Sequence, residues 1–80
     1  MTRQAQLDCF RQHCSRLLRL FLTAAGETER QVMTLNIPIS PEDHLQVLAQ
    51  RQREFDACQE YIHSCRLLAE FIEGQAEAVQ

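Results

Sequence analysis

Lysine is absent from this chain, glycine and proline occur twice each, and charge of neither sign accumulates beyond a formal net of −3. Few helix breakers, with 45% hydrophobic and 6% aromatic residues, exclude a disordered chain and suit a helical one. The missing positive excess removes the electrostatic footprint of a nucleic-acid binder. Long apolar runs are missing too. The best, "LLRLFLTAA" at Leu17–Ala25, is interrupted by Arg19 and falls far short of the roughly 20 residues a membrane span needs. Met1–Leu7 is polar where the apolar stretch of an export signal would develop, so the expectation is a cytoplasmic protein with reduced thiols. All eight basic residues are arginine, a bias that a GC-rich genome explains better than selection for bidentate pairing. Eighty residues hold one domain with a small core.

What is present is helical periodicity. Thr2 is a usable N-cap, and Leu7, Phe10, Cys14, Leu17, Phe21 and Ala24 repeat at alternating gaps of three and four, the spacing of a coiled-coil seam. The period resumes past Gly26 through Val32 and Leu35. The first helix is therefore expected over about 3–36, with a break at Gly26 as the alternative to a continuous run. "NIPISPED" (Asn36–Asp43) is punctuation: Pro38 stops propagation, then Ser40, Pro41, Glu42 and Asp43 combine a cap, a first-turn proline and acids at the positive end of a helix. A turn at 37–40 and a second helix over about 41–76 follow. The second seam reads Leu48, Phe55, Cys58, Ile62, Cys65, Ala69, Ile72 and Ala76, with Arg51 the polar exception. The spacing predicts an all-α, antiparallel two-helix hairpin, completed to a bundle by self-association or by a partner helix. Charge agrees: residues 1–25 carry four arginines against Asp8 alone, and a hairpin lays them beside Glu70, Glu73 and Glu77.

Two cysteine pairs, "CFRQHC" and "CQEYIHSC", each bracket a histidine and invite a metal or redox reading. Cys58 and Cys65 are about 10.5 Å apart along a helix at 1.5 Å per residue. Thiolates that each bond zinc at about 2.3 Å cannot span that. Cys9 and His13, at i and i+4, make half a site. Cys9 and Cys14 diverge by about 140° around the helix, so one cross-helix disulfide is thinkable but a matched pair is not. A catalytic Cys–His dyad needs a pocket and an oxyanion hole that a hairpin does not build. Packing is the reading that remains for Cys14, Cys58 and Cys65. No catalytic residue, metal ligand or cofactor is expected. His13, His44 and His63 read as boundary or surface residues, and Phe10, Phe21, Phe55 and Phe71 as core or interface.

The apolar surface exceeds what two helices bury against one another. "LLRLFL" is hydrophobic nearly all round, and Tyr61, Leu68 and Phe71 form a second ridge beside the second seam. An uncovered ridge of this kind marks a protein–protein site, so Leu18, Leu22, Tyr61, Leu68 and Phe71 are the candidate partner-binding residues. The partner is another protein, a second copy, or both. Met33, Leu35 and Ile37 folding back over the ridge is the plainer alternative.

The stretch "SPEDHLQVLAQRQREFDACQEYIHSCRLLAEF" (Ser40–Phe71) resembles the second helix of the small helical-hairpin co-chaperones that hold type III secretion needle subunits. The resemblance covers 32 residues and rests on the short turn and the Gln-rich amphipathic pattern. It implies a cytosolic protein that shields an aggregation-prone secretion subunit, often together with a second chaperone. The functional expectation is a non-enzymatic binding module of chaperone or adaptor type. A homodimeric structural protein and a phage-encoded inhibitor of a host protein are the alternatives.

Overall fold

A computed structural model describes residues 2–79 of the chain, with side chains through Ala76. Two helices make an antiparallel hairpin: α1 is Arg3–Met33 and α2 is Pro41–Val79. The chain is a rod of 63 × 16 × 16 Å with a radius of gyration of 18.3 Å. A compact chain of this length would have a radius near 12 Å, so most residues lie close to solvent. No large side chain is fully buried among the described residues, and Cys14 is the one apolar residue in the buried class.

Local chemistry sets the helix ends. Thr2, in extended conformation, accepts the Ala5 N–H on its Oγ1 at 3.0 Å, which satisfies one of the orphan donors of the first turn. Ser40 does the same for α2, its Oγ accepting the Asp43 N–H at 3.1 Å, with Glu42 and Asp43 in the positive first turn. α1 runs unbroken through Gly26. A Cβ built there would meet nothing within 4 Å, so the glycine sits on the outer face and interrupts no packing. Threonines on either side, Thr23 and Thr28, return their hydroxyls to the carbonyls of Arg19 and Ala24. α1 stops at Met33, three residues short of the expected Asn36. There the Thr34 N–H is shared between the Arg30 and Gln31 carbonyls, and its Oγ1 donates to Gln31 O. The connection therefore occupies residues 34–40.

The buried stripe of α1 is Leu7, Phe10, Cys14, Leu17, Phe21 and Ala24, continued by Thr28, Gln31 and Leu35 at the same gaps. Past Gly26 the seam thus turns polar, and Val32 lies exposed rather than on it. On α2 the stripe facing α1 is Val47, Gln50, Glu54, Ala57, Tyr61, Ser64, Leu68, Phe71 and Gln75. This corrects the seam expected from spacing. Leu48, Phe55, Ile62 and Ile72 keep 46%, 55%, 38% and 50% of their surface, while Cys58 and Cys65 are half-buried on the flank. Both stripes have gaps of three and four, and they differ by one residue, about 100° around the helix. The inner stripe alternates bulky side chains (Tyr61, Leu68, Phe71) with small or adaptable ones (Gln50, Ala57, Ser64), which lets α1 approach closely.

The two buried polar members of the inner stripe, Gln50 and Ser64, are hydrogen-bonded. Gln50, almost fully buried, donates from Nε2 to the Ala24 carbonyl at 2.9 Å and accepts from Arg53 on Oε1 at 3.0 Å. Among the described residues this Gln50–Ala24 bond is the only hydrogen bond joining the two helices. Ser64, also buried, donates to the Tyr61 carbonyl at 2.8 Å. Gln31 Oε1 is buried without a partner, a local weakness worth about 1–3 kcal/mol.

Among the described residues no ion pair joins the basic start of α1 to Glu70 or Glu73. Among the described residues both ion pairs lie within α1, Arg11–Asp8 at 3.6 Å and Arg30–Glu27 at 2.7 Å. Arg19 instead bonds Ser15 one turn back. The basic residues of α1 project from its exposed face, and Glu77 lies outside the residues whose side chains are described.

Candidate protein-binding surface

The residues expected to bind a partner divide between two environments. Tyr61, Leu68 and Phe71 are half-buried on the inner stripe of α2. Phe71 stacks on Phe10 across the groove, with ring centroids 5.1 Å apart and planes at 42°, a tilted geometry favoured by ring quadrupoles. Tyr61 stands beside Cys65 and within the field of Cys14. Hydrogen bonding and charge from the Cys65 thiol hold the Tyr61 phenol above its ordinary value of 10.0, with desolvation and Cys14 adding to the effect. Leu18 is half-buried and Leu22 exposed. The structure brings Tyr61, Leu68 and Phe71 to one groove and leaves Leu18 and Leu22 on its shoulder.

The surface left open lies on that same shoulder. Phe21 lines a shallow recess of ≈ 320 Å³ with Arg51, Glu54, Phe55 and Cys58. Leu18 and Ala25, three before and four after Phe21, extend this flank along α1. Thr34 and Gln46 line a recess on the opposite flank. From the Phe21 flank onto the back of α2 runs the outer stripe: Leu48, Phe55, Cys58, Ile62, Cys65, Ala69 and Ile72, with Arg51 its single charge. It covers about 36 Å of helix at 1.5 Å per residue. Met33 and Ile37 do not fold back over the ridge, being 78% and 94% exposed, and Leu35 is half-buried beside Gln31 and Val47 at the turn end.

The inner and outer stripes could not be told apart by hydrophobic spacing, because the outer one is the more apolar. The signal available in the sequence was the run of small residues at Ala57 and Ser64, which suits close helix approach.

All four cysteines are free thiols: Cys14 is buried, Cys58 and Cys65 are half-buried, and Cys9 is exposed. Among the described residues no three His, Cys, Asp or Glu side chains gather as metal ligands would. Cys9 and His13 share an open apolar recess with Gln6, Phe10 and Phe71 at the open end of the hairpin. No described helix is long and apolar enough to cross a membrane. No family model matches the chain, and no curated protein or solved structure is similar to it.

Proposed function

We propose that this protein is a non-enzymatic, cytoplasmic binding module of chaperone or adaptor type, which captures another protein through its apolar helical face. One observation carries the reading. The more apolar stripe of α2 is the one the hairpin leaves partly in solvent, although each of its large side chains, 38% to 55% exposed, would gain roughly 1 kcal/mol from burial of the rest. A heptad-spaced stripe flanked by half-buried cysteines suits an amphipathic helix laid along it. Leu18 and Leu22 belong to this surface. Tyr61, Leu68 and Phe71 act one step back, holding α2 against α1 so that the stripe stays on the outside. The rod shape and the pattern of Ser40–Phe71 favour the secretion co-chaperone as its most specific form. The client would then be the helical needle subunit.

Co-expression with a type III needle subunit from the same genome, with and without its second chaperone, tests the specific form. The expected result is a soluble complex that co-elutes with wild-type protein and is lost in Phe55→Glu. A needle subunit that stays insoluble or elutes alone removes the secretion reading and favours the homodimeric structural protein.

A further inference from the structure

We infer that the outer stripe of α2 is covered, in the protein on its own, by the same stripe of a second copy, with the two α2 helices antiparallel about a two-fold axis. The inference names an occupant for the docking face and rests on the reading of that face as a binding surface.

Three observations carry it. The first is area. The chain exposes 6414 Å², whereas a compact folded chain of 9.3 kDa exposes about 5,000 Å². The excess of about 1,400 Å² is more than the roughly 800 Å² each partner contributes to a standard interface, and lies in the range of obligate dimers. Lateral pairing along a 63 Å rod is the arrangement that removes such an excess.

The second is self-complementarity. With residue 60 near the axis, Leu48 lies opposite the partner's Ile72, Phe55 opposite the partner's Cys65, and Cys58 opposite the partner's Ile62. Apolar meets apolar in these three layers, and the layer of Arg51 and the partner's Ala69 is the exception. Heptad spacing supplies the knobs and holes of a left-handed coiled-coil contact for this packing.

The third is charge. Arg51, the one charge on the stripe, falls opposite the partner's Ala69, within a turn of the partner's Glu73. In the parallel alternative Arg51 would meet Arg51, Arg66 would meet Arg66 and Glu73 would meet Glu73, and like charges brought together at an interface oppose it. The turn end of the hairpin is acidic, with Glu42, Asp43, Glu27 and Glu29 against Arg30. An antiparallel pair keeps the two turn ends apart.

Sedimentation equilibrium over a micromolar concentration series, with far-ultraviolet circular dichroism on the same samples, tests the inference. Wild-type protein is expected at twice the chain mass of 9.3 kDa. Ile62→Glu is expected at the single-chain mass with its helical signal retained at low temperature. Met33→Glu, exposed but off the stripe, should remain dimeric. Ile62→Ser removes apolar surface without adding charge and keeps the comparison readable if the glutamate variant fails to fold. Wild type at the single-chain mass throughout overturns the second-copy assignment while leaving capture of another protein to be judged by co-elution. A dimer that survives Ile62→Glu and Ile62→Ser, or one that Met33→Glu dissociates, overturns the assignment of the face.

Discussion

Two stripes run along α2, one residue out of phase, and the one that faces α1 is the poorer in apolar side chains. The inner stripe spends Gln50, Glu54, Ser64 and Gln75 on a contact where Tyr61, Leu68 and Phe71 supply the grease. The outer stripe has Leu48, Phe55, Ile62 and Ile72, which stay exposed, with two half-buried cysteines and an alanine. Hydrophobicity alone would have chosen the other way round. The difference teaches that fit and hydrogen bonding decide register once both faces have the right period. The small side chains of Ala57 and Ser64 admit the helix backbone, and Gln50 reaches a carbonyl that a leucine could not.

The comparison can be broken most forcefully at Leu68. A glutamate there forces a charge into the groove, and unpaired burial of this kind costs several kcal/mol. Leu68→Glu should lose most of its helical signal at room temperature, measured by circular dichroism. Retention of a wild-type melt would mean that the inner stripe does not hold the hairpin.

Gln50 is the next test. Gln50→Ala removes the one hydrogen bond between the helices among the described residues and leaves a small void. A loss of about 1–2 kcal/mol in urea unfolding is expected. An unchanged midpoint would show that register is held by apolar contacts alone.

Gly26 sharpens the picture from the opposite side. The position is helical, exposed and free of neighbours within 4 Å, so Gly26→Ala should stabilise α1 by about 0.5–1 kcal/mol. A loss instead would indicate that the outer face near Gly26 is in contact with something in solution.

The smallest effect concerns pH. The Cys65 thiol holds the Tyr61 phenol above its ordinary value. Because the folded state favours the protonated phenol, its contribution is complete below the unfolded value near 10 and is lost as pH rises through the raised folded value. Wild-type stability should fall in that alkaline window, and Tyr61→Phe should show a shallower fall. Parallel pH profiles for the two proteins would remove Tyr61 from the account.

Much of the fold was legible residue by residue. Thr2 and Ser40–Asp43 announced their helix starts through capping chemistry, which is local and so readable without tertiary knowledge. The α1 stripe from Leu7 to Ala24 was legible because only that phase is apolar along its whole length; the phases of Leu18 and Leu20 run back into Asp8, Arg11 and Ser15 or into Gln6, His13 and Arg16. α2 offers two, and the choice depends on what α1 presents across the groove, which no one-dimensional pattern records. That is why Phe55 and Ile62 were expected inside and Tyr61 and Phe71 outside. The ion pairs failed for a related reason: overall charge asymmetry says nothing of which face of a helix an arginine leaves from.

Tyr61 and Ile62 are neighbours in the chain, one half-buried inside the hairpin and one on the exposed stripe proposed for docking. The most direct test is thermal melting of Tyr61→Glu and Ile62→Glu at equal, low chain concentration, followed by circular dichroism. Tyr61→Glu is expected to be largely unfolded at room temperature, while Ile62→Glu melts from a fully helical baseline. The reverse order, with Ile62→Glu unfolded and Tyr61→Glu intact, would contradict the assignment of the two stripes.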